Sequence, residues 1–380
     1  GDVMPLLRAT KAVLGLRTDL AEAASLLLGS ARTAIERWFE SEPLRSTLAT
    51  DAIIGAWASP ATPGTGYVLF HHVMGDTGGS RGVWAYVKGG MGALSEALAR
   101  AARAAGAEIR CESPVAGIRV SHGRADGVVL ESGEEIPARV VLSNADPAVT
   151  FGSLVDPTTL EPEFRRAIEA IDFRSPVAKF NLALDALPAF AGHGDGTRPG
   201  QEHHGTIHIG AGSLDALDAS FAAAERGELP DDPMIEMTLP SALDEGLAPP
   251  GQHVSSLFVQ HVPFEPATGS WADHRETLTR RVFASIDQVA PGFSDRVLHC
   301  EVLTPPDIQE TFGLTGGNIF HGAMSLDRLA FMRPVPGWAR HATPIQGLYL
   351  CGAGAHPGGG VMGACGRNAA AVVLAEAARR

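Results

Sequence analysis

Residues 347–376, GLYLCGAGAHPGGGVMGACGRNAAAVVLAE, hold residue types and spacings from which chemistry can be built. The apolar run at 348–351 suits a short buried strand, and Met362, Cys365, Ala369, Val372 and Val373 recur at helical spacing. Seven glycines fall in between and just beyond, within 352–366. A strand, a glycine-rich loop and a helix start make a site for an anion or the polar edge of a ring. The first helical N–H groups are unpaired, and the positive end of the helix dipole points outward. Glycines let a ligand lie against bare backbone. Gly363 and Gly366 cost helix propensity, which close packing at the helix start would justify.

A second stretch, GGNIFHGAMSLDRLAFMRPVP (316–336), again leaves backbone bare at Gly316, Gly317 and Gly322. His321 and Met324 flank it, and Arg333–Pro334 closes it. Together with HPGGGVMGACGRNAA (356–370), it resembles the phytoene desaturase-like FAD-dependent oxidoreductases. Within them the likeness is to the subfamily called pyridine nucleotide-disulfide oxidoreductase domain-containing protein 2, and it runs over nearly all of the chain.

The resemblance implies FAD as cofactor. It implies that Gly352, Ala353, Gly360, Val361 and Met362 meet the isoalloxazine and the ribityl–phosphate part. It places the backbone of Val115 at the adenine, and Asn144 and Ala145, in the strand end SNAD (143–146), near the pyrophosphate. Arg333–Pro334 resembles the arginine–proline signature of the carotenoid desaturases. One departure weakens the match: the usual flavin motif has an acidic residue where this chain has Ala353. By residues alone, Val115 reads as a core valine, and Asn144 and Asp146 as turn or helix caps.

The implied reaction removes hydrogen from a small apolar or amine-like substrate onto flavin, and an unidentified acceptor takes the electrons onward. Relatives of this kind act on unactivated carbon chains, so no acid–base pair is required, and no catalytic residue transfers. The candidates are His321, His356 and Lys179. Both histidines equally fit hydrogen-bonded structural roles. Lys179, in the apolar run SPVAKFNLALD (175–185), fits an edge residue, an ion-pair partner or a cavity-facing amine. Two other classes stay open: a nicotinamide-dependent Rossmann dehydrogenase, and a non-catalytic scaffold of flavoprotein type.

The nicotinamide reading rests on WAYVKGGMGALSEALARAARAAGAEIRCES (84–113), where GGMGAL precedes a helix and Glu112 follows about twenty residues on. The first glycines are adjacent, and WAYVKG is a poor aliphatic core strand. Leu94, Leu98, Ala101 and Ala105 would form the packed face of this helix, and a strand is expected from 108–110. A β-meander follows over 114–147, with turns at His122–Gly123 and Ser132–Gly133.

These elements imply a mixed α/β (α+β) architecture of the glutathione-reductase-2-like kind. It would comprise an incomplete FAD-binding Rossmann-like domain and a second, antiparallel-sheet substrate domain. The expected divisions are 1–83 (helical part and start of the substrate domain), 84–150 (FAD-binding, middle part), 151–315 (substrate domain) and 316–380 (FAD-binding, C-terminal part). Residues 1–58 read as helices, one starting at 18–20, with a Glu–Pro break at 42–43. The apolar run 67–70 reads as extended, with His71 and His72 on opposite sides and no metal site. Family members begin with a strand–GxGxxG–helix unit, and none is found near Gly1, so the chain is expected to lack that unit.

Composition narrows the partners. The chain has 380 residues and a net charge of −13, which argues against nucleic acid. There is no apolar run of about 18 residues, and no signal peptide is expected. The expected compartment is the cytoplasm, or the mitochondrial matrix in a eukaryote. Cys111, Cys300, Cys351 and Cys365 form no CxxC pair, so neither a zinc site nor a redox disulfide is expected. A homodimer and a peripheral membrane contact stay open.

Overall fold

The computed structural model describes residues 20–379. They divide into two compact units. One holds the described residues up to 54 together with 58–84 and 212–218, and the other holds 55–57, 85–211 and the chain from 219 onward.

Among the described residues the first unit contains four helices, α1 (Leu20–Leu28), α2 (Ala31–Trp38), α3 (Glu42–Asp51) and α4 (Thr65–Val73). The helix start expected at 18–20 lies largely outside the described residues. Ser30 caps α2 by accepting from Thr33 N at 3.2 Å, and Pro43 sits in the first turn of α3. The expected break at 42–43 is therefore the start of α3. The run 67–70 is not extended. It lies in α4, where Val68 and His72, four residues apart, bury on one face. His72 Nδ1 bonds the Val68 carbonyl at 3.0 Å, and burial holds its pKa down to about 4.

The second unit is built from α5 (Met91–Ala104), β1 (Val115–Ser121), β2 (Arg124–Leu130), β3 (Glu135–Pro137), β4 (Val141–Ser143), α6 (Pro162–Glu169) and β5 (Ala178–Leu184). It continues with β6 (Ile207–Ile209), β7 (Met234–Thr238), β8 (His253–Gln260), α7 (Trp271–Val289), β9 (Val297–Leu303), α8 (Pro305–Phe312), β10 (Leu348–Leu350) and α9 (Ala364–Ala377).

The largest sheet is antiparallel, in the order β9-β5-β8-β7-β6. Alternation gives it two unlike faces. Phe180, Leu182 and Leu184 of β5 point inward with Met237, Leu257 and Val259. Against them lie Leu278, Val282 and Ile286 of α7, one face at helical spacing. Asp273 closes the capping box of α7, accepting from Ser270 N at 2.8 Å.

A second core joins Ile118 and Ala125 of the meander to Phe151, Phe164 and Ile168, and to Leu348, Leu350 and Ala355. Phe151 and Phe164 meet edge to face at 4.9 Å. The meander turns at 122–123, where both residues have positive φ, and again at 132–133.

The expected strand at 108–110 is absent; β1 begins only at Val115, after Glu112 turns the chain with φ +51°. WAYVKG forms no strand either. The stripe on α5 is uncovered: the helix has no buried residue, and Leu98 is 65% exposed.

Leu278, fully buried between α7 and the sheet, reports on this core. Leu278→Ala is expected to cost about 2–5 kcal/mol, read as a lower urea midpoint with an unchanged slope.

Candidate functional site

β4 and β10 run parallel, with Ser143 opposite Leu350, and Cys351 N donates to Ser143 O at 2.9 Å. This pairing sets Asn144 beside Gly352 so closely that a Cβ on Gly352 would lie 2.4 Å from the Asn144 carbonyl. Asn144, Ala145, Gly352 and Ala353 thus gather at the carboxyl ends of two parallel strands, where open α/β sheets take their ligands. Asp146, one residue on, is buried. One of its oxygens accepts from Val149 N at 2.9 Å and the other from Thr315 N at 2.8 Å. It caps a turn, as expected, and also fastens the 315–324 segment to the strand end.

Arg333 ties that segment to the glycine-rich loop. Its guanidinium is buried and donates to backbone carbonyls: Ala353 from Nε at 3.1 Å and from a terminal nitrogen at 2.9 Å, Ala323 at 3.1 Å, Gly322 at 3.2 Å, and Phe320. Asn318 folds the same segment on itself, its Oδ1 accepting from Phe320 N at 2.9 Å while Nδ2 donates to Arg174 O at 2.9 Å. Cys365 supports the loop from below, its thiol 3.4 Å from Ala355 O and 3.3 Å from Gly358 O.

The rim of the loop is open. Gly360 has φ +144° and Val361 φ +52°; Val361 is 76% exposed and Met362 is also exposed. The helix begins at Ala364, not Met362, with Gly363 as an N-cap that has no side chain to bond the first N–H groups. Val115 opens β1 opposite Leu130, in a different sheet from this cluster.

His321 and His356 both sit at the loop. Each has a buried Nδ1 without a hydrogen-bond partner. Burial lowers the pKa of both, with Arg333 adding to the effect. Asp146 partly opposes it at His321, and His341 reinforces it at His356. The imidazoles are therefore held neutral. The crevice bounded by Pro147, Ile171, His321, Arg333 and Gly354 is too tight to take in even a water molecule.

Lys179 lies elsewhere, on the outer face of the five-stranded sheet. Its Nζ contacts Ser256 Oγ, and burial pulls its pKa down to about 8. The signal that it faces outward was its place among the alternating apolar residues of β5.

GGMGAL lacks the setting of a strand–loop–helix nucleotide unit. Gly90 opens α5 with no strand before it, and Gly89 N donates to an Asp244 carboxylate oxygen at 2.6 Å. A carboxylate stands where a phosphate would have to lie.

The uncapped start of α9, the bare rim at 360–362 and the two unpartnered imidazole nitrogens fit a planar ring system with polar edges. Residues 15–374 match the family model for flavin containing amine oxidoreductases. A rat protein, pyridine nucleotide-disulfide oxidoreductase domain-containing protein 2, is 50% identical over 98% of this chain and 64% of its own length. The lycopene-forming phytoene desaturase of Pseudescherichia vulneris is 26% identical over 87% of this chain and 62% of its own length. Among solved structures, cyclohexylamine oxidase from Brevibacterium oxydans superposes with a TM-score of 0.53, over 94% of this chain and 70% of that one, at 16% identity.

The fold is that of the flavin-binding amine oxidoreductases. The chain belongs to the flavin containing amine oxidoreductase family. It spans just under two thirds of the length of the curated relatives it matches. Among the described residues no helix is long and apolar enough to cross a membrane, and no cluster of metal-ligating side chains occurs.

Arg333→Met leaves several buried carbonyls without donors, each costing about 1–3 kcal/mol. The expected outcome is a large fall in melting temperature with early proteolytic cutting within 352–362. Arg333→Lys restores only part of the loss, because an ammonium cannot span carbonyls that a planar fork reaches.

Proposed function

We propose that the chain forms the loop-and-sheet part of a dehydrogenase or oxidase that takes hydrogen from a small apolar or amine-like substrate. The flavin would rest on 352–363, with 316–324 alongside. The substrate would lie on the outer face of the five-stranded sheet. One observation carries this reading: a single wall joins the two places. Gly55 N donates to Gln260 Oε1, on that sheet face, at 3.0 Å. A Cβ on Gly55 would strike Ile319 at 2.7 Å and Phe320 at 3.1 Å, and Phe320 in turn packs on Gly359.

The bound flavin supplies the two-electron acceptor. The protein supplies position and charge. The bare N–H groups of α9 would favour negative charge at the ring edge they face. His321 and His356, held neutral, could each accept or donate one hydrogen bond at the loop without adding positive charge. Asn144 and Ala145 would meet the phosphate part. Val115 would stand at the adenine, a role inherited from the family.

Gly366 separates a flavin site from an ordinary turn. It lies in the first turns of α9, and a Cβ there meets nothing within 4 Å. Replacing it should therefore stabilise the flavin-free helix, by up to about 1 kcal/mol for alanine and slightly less for leucine. Gly366→Leu in protein from the complete reading frame is expected to lower flavin per chain while the flavin-free melting point holds or rises. Retained flavin would remove the helix start from the site. Gly360→Val is a poorer probe, since φ +144° strains any β-branched residue before flavin is considered.

Lys179 gives a pH signature. Its folded pKa of about 8 lies below the ordinary 10.5, so between those values the unfolded chain binds more protons. Stability should therefore rise with pH across that window and level off above it. Lys179→Met should flatten this rise in denaturation curves taken from pH 7.5 to 10.5.

A further inference from the structure

His321 is held in place by the backbone on either side of it. Its φ is +58°, a left-handed conformation that strains a residue with a side chain. Asn318 Oδ1 accepts from Phe320 N at 2.9 Å and from Gly322 N at 3.3 Å. Arg333 donates to the carbonyls of the same two residues, Phe320 and Gly322. His321 N itself donates to Asn318 O at 3.0 Å. Glycine would make this turn without strain, as Gly316, Gly317 and Gly322 do close by at positive φ. A histidine in a strained and firmly held position points to a use for its ring.

That ring is not placed as other buried imidazoles are. His72 Nδ1 meets Val68 O at 3.0 Å, His341 Nδ1 meets Leu350 O at 3.0 Å, and His203 Nε2 meets Pro188 O at 2.9 Å. His321 Nδ1 is buried without a partner, beside a crevice too tight for water. The residue as a whole is half-buried, which leaves a proton a path from solvent. The glycine-rich loop lies against it: a Cβ on Gly354 would be 3.4 Å from His321 O. Three charged groups surround the imidazole. Asp146 comes from the end of β4, and Arg328 and Arg333 from the segment after His321. Asp146 favours the imidazolium, while burial and Arg333 oppose it. One further negative charge nearby would tip this balance toward the cation. His356 is placed differently, since Arg333 and His341 both oppose a charge there.

We infer that His321 is the proton acceptor of this site: neutral while the cofactor is oxidised, its imidazole takes one proton when two electrons arrive. The substrate loses two hydrogens and gains a double bond. Its C–H bond breaks with the electron pair, which passes to the flavin as hydride. The second hydrogen leaves as a proton, and His321 takes it. The hydride brings one negative charge to the loop, and the imidazolium balances it beside Asp146. When the electrons leave for the acceptor, His321 returns its proton to solvent. This rests on the flavin lying at the loop, as proposed above, and adds where the second proton goes.

The test is potentiometric titration of flavin-loaded protein from the complete reading frame. It is run between about pH 7 and 8, where histidine is ordinarily uncharged. The slope of midpoint potential against pH counts the protons taken up per electron pair. The wild type should take up two. His321→Asn keeps a left-handed turn, which asparagine tolerates, but cannot take a proton, and its count should fall to one. His356→Asn should still take up two. A wild-type count of one overturns the assignment without any variant. An unchanged count in His321→Asn, or a count of one in His356→Asn, would overturn it as well. Flavin content is read on the same samples. Colourless wild-type protein rejects the flavin reading, whereas yellow protein with the wrong count rejects only this one.

Discussion

The site depends on one buried guanidinium. Arg333 reaches the carbonyls of Phe320, Gly322 and Ala323 on one side and of Ala353 on the other. Two irregular segments, far apart in sequence and without a ladder of their own, share one donor group. A glycine-rich loop has little intrinsic preference for any conformation, and its ordering is entropically costly. Arginine suits this task because its planar fork offers five N–H donors in fixed directions. Ala353 has a place in the same arrangement. Where the usual motif has an acid for the cofactor, this chain uses the backbone of that residue to receive Arg333.

Asp146 works alongside. By bonding Val149 N and Thr315 N it makes the end of β4 the common anchor for the turn after it and for the segment that carries His321. The parallel pairing of β4 with β10 then places Asn144 against Gly352. The result is a rigid rear wall and an open rim, with Val361 and Met362 uncovered. A loop that is held from behind and bare in front can receive a large ring without rearranging, which is what keeps the ordering cost of binding low.

The five-stranded sheet contributes through the contrast between its faces. Its inner face is closed by α7 with mostly apolar side chains. Its outer face carries lysine, glutamate, histidine, serine and a fully buried glutamine. The inner face accounts for stability. The outer one gives up some of it, because half-covered charges and an unpartnered amide donor are costly to desolvate. Gly55, between Gln260 and Phe320, is the contact through which that face and the glycine-rich loop share a wall.

Local pattern alone determined much of this. The strand–loop–helix at 348–377 and the meander turns at 122–123 and 132–133 follow from periodicity and turn chemistry, which act between neighbours in the chain. The motifs at 316–336 and 356–370 sufficed for the family and for FAD. Misreadings arose where local signals were ambiguous: the short apolar run at 67–70 took the helical form because Val68 and His72 bury together, and Glu112 delayed the strand expected at 108–110. Tertiary structure alone decided what Arg333, Gln260 and Gly55 do. Their partners lie 20 residues away for Ala353 and 205 for the Gly55–Gln260 pair. No periodicity connects such positions, because a buried hydrogen bond is chosen by which backbone groups the packed cores leave without a donor.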